Sequence, residues 1–114
     1  DYPNEFKYAI TQMNEYGTNF SDRLRKYESV FYMTVNINKD SDKAKKEADS
    51  FIKQYYGINI WEERWGPFGN ASNIIERANQ YVEAGATTLI FRFASFNQIE
   101  QLELFCDQIQ NNIK

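Results

Sequence analysis

Residues 69–95, GNASNIIERANQYVEAGATTLIFRFAS, decide the fold class. Gly69 opens a turn, and Asn70 or Ser72 can cap a helix. Ile74, Ile75, Ala78, Tyr81 and Val82 recur at helical spacing, Gly85 stops the helix, and residues 87–94 read as a buried strand. Turn, amphipathic helix, glycine stop and strand make half of an α/β repeat, whose strands join a parallel sheet.

The same grammar extends outward. Residues 28–38, ESVFYMTVNIN, form a first strand rich in β-branched and aromatic residues. Phe31, Met33, Val35 and Ile37 share a wholly apolar face. Val30, Tyr32, Thr34 and Asn36 share one that turns polar toward its end, as Arg92 does late on the last strand. A strand with one greasy and one graded face fits a barrel wall, with helices over the first face and a site at the end of the second. Residues 40–56 read as a helix capped by Asp40, Ser41 or Asp42, buried along Ala44, Ala48, Phe51, Ile52 and Tyr55, and ended by Gly57. Its lysines 43, 45, 46 and 53 form a solvated face. A first helix over residues 2–16, buried along Phe6, Ala9, Ile10 and Met13, stops at Gly17, with loop from Thr18 to Lys26. A last helix opens at a capping box in residues 95–98 and buries Ile99, Leu102, Phe105, Cys106, Ile109 and Ile113. Pro67 limits residues 65–68 to a very short strand. The expected order is helix, strand, helix, short strand, helix, strand, helix.

Composition narrows the function. Net charge is −3 over 114 residues, without a basic run to track a phosphate backbone, so no nucleic-acid partner is expected. No stretch approaches the roughly 20 apolar residues of a membrane span. The chain has no histidine, which removes His-based nucleophilic triads and the commonest metal ligand, and no metal is expected. Its single cysteine permits no internal disulfide and fits a reducing, cytoplasmic setting. Two or three parallel strands leave both sheet edges unpaired. The expectation is therefore one partial unit over residues 1–114: the C-terminal portion of an eight-stranded barrel, or a chain that pairs its edge with another copy.

These residues resemble the C-terminal third of the bacterial-luciferase-like flavin-dependent monooxygenases. VNINKD followed by DSDKAKKEADSFI resembles the family's sixth strand, acidic turn and alanine-bearing helix. Gly69-Asn70-Ala71-Ser72 with IIERANQYVEAGA resembles its glycine turn, helix and Ala-Gly stop. TTLIFRFAS with NQIEQLELFCDQI resembles its final strand and closing helix. The chain departs from the family at Asn70-Ala71, where Ser or Thr and then Pro are usual, and at Phe20-Ser21-Asp22, where Gly-Arg-Asp is usual. The resemblance implies a (β/α)8 barrel enzyme that oxidises a small organic substrate with reduced FMN and oxygen, or transfers hydride with a deazaflavin. It implies a partner in the N-terminal part of the barrel or a homo-oligomer, and a piece that is catalytically incompetent by itself. The non-enzymatic alternatives are a truncated α/β module that self-associates through its open sheet edge, or an unrelated α/β binding domain.

Strand C-termini in such barrels meet at the active end. That points to Asn36, Asn38, Gly69, Asn70, Arg92 and Ser95, with the catalytic residues unassigned. Arg92 would hold an anionic substrate group or the flavin phosphate, or else pair with Glu28. Asn36 would bond a ligand or plug the barrel. Gly69 and Asn70 would bind an anion at a helix start or simply cap it, and Ser95 would cap the last helix. Trp61 and Trp65, four apart, would pack or form a subunit interface, Trp65 and Phe68 lying nearer the site. Glu62-Glu63 read as solvated loop.

Overall fold

A computed structural model describes residues 1–20 (16–20 by backbone alone), 28–59, 64 and 66–114. The elements are α1 (Tyr2–Phe20), β1 (Val30–Ile37), α2 (Ser41–Tyr56), β2 (Phe68–Gly69), α3 (Ala71–Glu83), β3 (Thr88–Phe93) and α4 (Gln98–Gln108), then a 3-10 turn over Gln110–Asn112. The described residues thus form an α/β unit of four α-helices and a three-stranded parallel sheet. Among the described residues no helix is long and apolar enough to cross a membrane.

Local chemistry accounts for most boundaries. The Asp40 carboxylate accepts the N–H groups of Asp42 and Lys43 at 3.0 and 3.3 Å and starts α2. Gly57, at φ 81°, ends it in the left-handed conformation, its N–H donating to Lys53 O. Asn70 starts α3 by accepting Asn73 N–H at 3.0 Å. Two expectations fail. Helix α1 continues through Gly17 to Phe20, past the expected stop, and the rest of the expected loop, residues 21–26, lies outside the described residues. Ser95 is not the cap of α4. Asn97 is: its side chain accepts Glu100 N–H at 3.1 Å, and its Nδ2 donates to the Glu100 carboxylate at 2.9 Å.

β1 pairs with β3 along Val30↔Thr88 to Val35↔Phe93, and with β2 at Asn36↔Phe68 and Ile37↔Gly69, all parallel. The strand order is β2-β1-β3. Met33, Val35 and Ile37 bury against Ile74, Ala78 and Tyr81 of α3 and against Ile109, with Phe6, Leu104 and Phe105 at the margin. Phe31 stacks on Tyr81 at 3.6 Å between ring centroids, and Phe6 meets both rings edge-on. On the other face Ala44, Ala48 and Ile52 of α2 pack with Phe68 and Ala94.

Helices therefore lie on both faces, and the chain crosses from one side of β1 to the other between β2 and β3. A barrel keeps its helices outside and its strands in chain order. The described sheet departs from that expectation and has the connectivity of an open doubly wound sheet, whose carboxyl-end crevice opens where the strand order reverses. The graded face is not a barrel interior: α2 covers its later half, while Tyr32 and Ile90 stay 53% and 43% exposed at its start.

Helix α4 keeps only part of the expected stripe inside: Phe105, Ile109 and Ile113 pack on the core. Ile99 and Leu102 are 72% and 53% exposed and Cys106 is exposed, whereas Gln101 is buried. The Gln101 carboxamide accepts Ile37 N–H at 2.8 Å and donates to Ile37 O at 3.0 Å. It continues the β1 ladder beyond the last β3 bond, Ala94 N–H to Val35 O at 2.8 Å. Leaving those two buried backbone groups unpaired would cost about 1–3 kcal/mol each, which offsets the exposure of Ile99 and Leu102. Tyr55, expected on the α2 stripe, and Ala9 and Met13, expected on that of α1, are likewise exposed.

Candidate functional site

Beyond the carboxyl ends of β1 and β3 an open cleft of about 860 Å³ lies between the starts of α2, α3 and α4. Lys39, Lys43 and Glu47 form one wall, Asn70 and Ser72 a second, and Ser95, Asn97 and Glu100 a third. It sits at the crossing point the strand order defines, where open α/β sheets bind ligands.

The polar end of β1 underlies this cleft. Asn36 is fully buried, and its Nδ2 donates to Glu47 Oε1 at 2.6 Å and to Ala94 O at 2.8 Å. Its Oδ1 is buried with no hydrogen-bond partner. The amide fixes a half-buried carboxylate at the cleft wall and ties α2 to the exit of β3. Asn38 works on the backbone: its Oδ1 accepts Asp40 N–H at 2.9 Å, and its N–H donates to Gly69 O at 2.8 Å. Ser95 is buried, and its Oγ accepts Asn97 N–H at 3.1 Å. It shapes the turn into α4.

Asn38, Asn70 and Ser95 thus converge on the cleft, with Asn36 beneath it and reaching it through Glu47. Gly69 does not line it. A Cβ at Gly69 would come within 2.9 Å of Asn73 Oδ1 and 3.3 Å of Ser41 Oγ, so glycine is there for close packing. Arg92 is also elsewhere. Its Nη1 donates to the Tyr56 hydroxyl at 2.6 Å, and its guanidinium lies over the Tyr32 and Tyr56 rings at 5.6 and 5.5 Å from their centroids. Those tyrosines, rather than Glu28, are its partners on the α2 side of the sheet. Phe68 is buried under α2 and takes no part. Trp61, Glu62, Glu63 and Trp65 lie outside the described residues.

Sequence reasoning missed Lys39, Lys43, Glu47 and Gln101. Glu47 carried a usable signal, because it falls between Ala44 and Phe51 on the buried side of α2, where a charge needs a partner. Lys43 gave none, since an exposed helical lysine reads as a solvated face. The cleft offers two ammonium groups, two carboxylates, several amides and hydroxyls, and the start of a helix. That donor set suits a polar ligand with an anionic end. Among the described residues no aromatic ring lines it. Among the described residues no three His, Cys, Asp or Glu side chains cluster as a metal site.

Comparison of the chain with protein-family models, curated proteins and solved structures returns no match.

Proposed function

We propose that this chain is part of a flavin-dependent oxidoreductase of the luciferase-like kind and that the strand-end cleft takes the phosphorylated, hydroxylated end of the cofactor. The observation that carries it is the cleft itself, at the β1/β3 crossing, with Lys39 and Lys43 beside the first turn of α3. The residues present fit a phosphate and a polyhydroxyl tail. They do not supply a stacking surface for the flavin ring, which needs other residues. Lys39, Lys43 and Ser72 would hold the phosphate, and Asn97 and Glu47 the hydroxyls. When bound, the flavin supplies the redox chemistry, toward a small organic substrate and with a deazaflavin as the variant cofactor. A closed barrel is the finer expectation from the resemblance; the cofactor site proposed here uses the open sheet's crevice and does not need closure. Cytoplasmic placement belongs to the same proposal.

Fluorescence titration with FMN, with riboflavin as the phosphate-free control, tests this. FMN should bind at least about tenfold tighter than riboflavin, and Lys43→Glu should erase the difference, since about 1.4 kcal/mol corresponds to tenfold. Equal binding of both, or none, ends the proposal.

A specific observation favours a second reading, a module that self-associates. Val30, Tyr32 and Ile90 leave half a sheet face bare beside an open β3 edge. The radius of gyration is 15.7 Å, against about 13 Å for a compact domain of this length. Sedimentation equilibrium separates the two: association that Tyr32→Glu abolishes supports this reading, and a monomer at all concentrations removes it.

A further inference from the structure

β3 is an outer strand of the sheet, and no described strand lies beyond it. Thr88 and Ala94 donate their N–H groups to Ser29 O and Val35 O at 3.2 and 2.8 Å. Successive residues of a strand turn their backbone groups to opposite sides, so Leu89 and Phe91 direct N–H and C=O outward. Phe93 does the same, and its carbonyl accepts Gln98 Nε2 at 2.8 Å. Exposed edges are normally guarded by proline, lysine or a bulge. β3, TLIFRF, carries none of these, and its register with β1 is unbroken from Thr88 to Phe93.

A groove of about 590 Å³ runs beside this edge, walled in part by Leu89, Phe91, Leu102, Phe105 and Ile113. Helix α4 overlies the strand there, its Phe105 ring 4.7 and 6.1 Å from those of Phe91 and Phe93 between centroids. Leu102 lines the groove, and Ile99 and Cys106 share its stripe at i−3 and i+4; all three are exposed. On the opposite sheet face Ile90 is exposed beside Tyr32. Backbone edge, helix stripe and Ile90 thus bound one side of the unit. A second copy brings what this side lacks: a strand for the edge and an apolar helix for the stripe of α4. Charge selects the register. Antiparallel pairing centred on Ile90 sets Leu89 against Phe91 of the second copy, both with outward backbone groups, and Arg92 against Thr88. Pairing centred on Arg92 would set two cations face to face. A six-residue edge about 20 Å long under one helix layer buries on the order of 600 Å² per copy, the low end for specific interfaces.

We infer that two copies of this chain join β3 to β3, antiparallel about a twofold axis at Ile90, into one six-stranded sheet with α4 packed on its copy. The inference rests on the self-association reading, whose partner element it names, and not on the flavin proposal. Sedimentation equilibrium of the whole chain in reductant should show monomer and dimer and nothing larger, since a twofold contact closes. Ile90→Lys and Leu102→Glu, both at exposed positions, place like charges across the axis. Each should weaken the dimer at least about tenfold while the monomer stays folded by circular dichroism. In a Cys106→Ser background, Ile90→Cys should oxidise to a disulfide-linked dimer, because the residues of a non-hydrogen-bonded antiparallel pair lie about 4.5 Å apart at Cα. Thr88→Cys, two residues off the axis, should not. A monomer at every concentration removes the self-association reading and the inference together. Association that survives either charge substitution, grows beyond the dimer, leaves Ile90→Cys unlinked or links Thr88→Cys as readily overturns the inference alone and assigns the contact to another surface.

Discussion

Asn36 shows what one residue decides. A leucine there would match its burial yet leave the Glu47 carboxylate and Ala94 carbonyl without their donor. Asn36→Leu should cost about 1–3 kcal/mol in urea unfolding, while Asn38→Ala, which loses only an exposed turn bond, should cost less. The sequence marked Asn36 as polar on a strand but not what it would touch, since Ala94 is distant in the chain. Gly85 was legible for a local reason. It holds φ 118°, where a side chain is strained, and a Cβ would also approach Ile10 Cγ2 at 3.1 Å. Gly85→Ala should cost about 1–3 kcal/mol by the same measurement. Tyr81 gives a pH signature. Burial raises its pKa above the ordinary 10.0, so between the unfolded and folded values the native chain holds a proton that the unfolded chain has lost. Stability is therefore full below pH about 10 and falls as pH rises through the folded value. Tyr81→Phe should flatten that alkaline limb of Tm against pH; an unchanged slope would assign it elsewhere.

Among the elements, α2 and α3 were readable because spacing, caps and glycine stops are local, and a helix with one apolar stripe has one way to lie on a sheet. Helix α4 was half read, for the opposite reason. Phe105, Ile109 and Ile113 pack on the core as expected, but at the start of the helix the Gln101 clasp on the end of β1 leaves Ile99 and Leu102 outside, and that partner is far away in sequence. The start of α4 was placed well and its cap was not, since Ser95 and Asn97 both have cap-forming side chains and only geometry separates them. Asn97→Ala should cost about 1 kcal/mol of stability and Ser95→Ala less, by urea unfolding. The cleft was half legible: Asn38, Asn70 and Ser95 follow from strand and helix ends, whereas the lysines that give it charge look like any solvated helix face.

At the scale of the molecule, the parallel, side-by-side pairing of the two long strands was recoverable and the place of β2 was not. Helices between strands impose parallel pairing, but nothing local says whether β3 returns beside β2 or crosses to the far side of β1. Tyr32 and Ile90 are register partners and both exposed. In a Cys106→Ser background, Tyr32→Cys with Ile90→Cys should oxidise readily, because adjacent strands sit about 4.8 Å apart, within disulfide reach. A barrel order would put β2 between them and double the separation, so failure to cross-link restores that arrangement. The same pair belongs to the bare sheet face, so the oxidised chain should also show whether self-association needs those side chains free.

The carboxamide clasp on Ile37 has a kinetic corollary. Its amide proton is shielded by the terminal helix rather than by a neighbouring strand, so it should exchange with solvent in step with α4 and not with Met33 or Val35. A single backbone resonance would then report when the tail of the chain lifts away and the cleft loses its third wall.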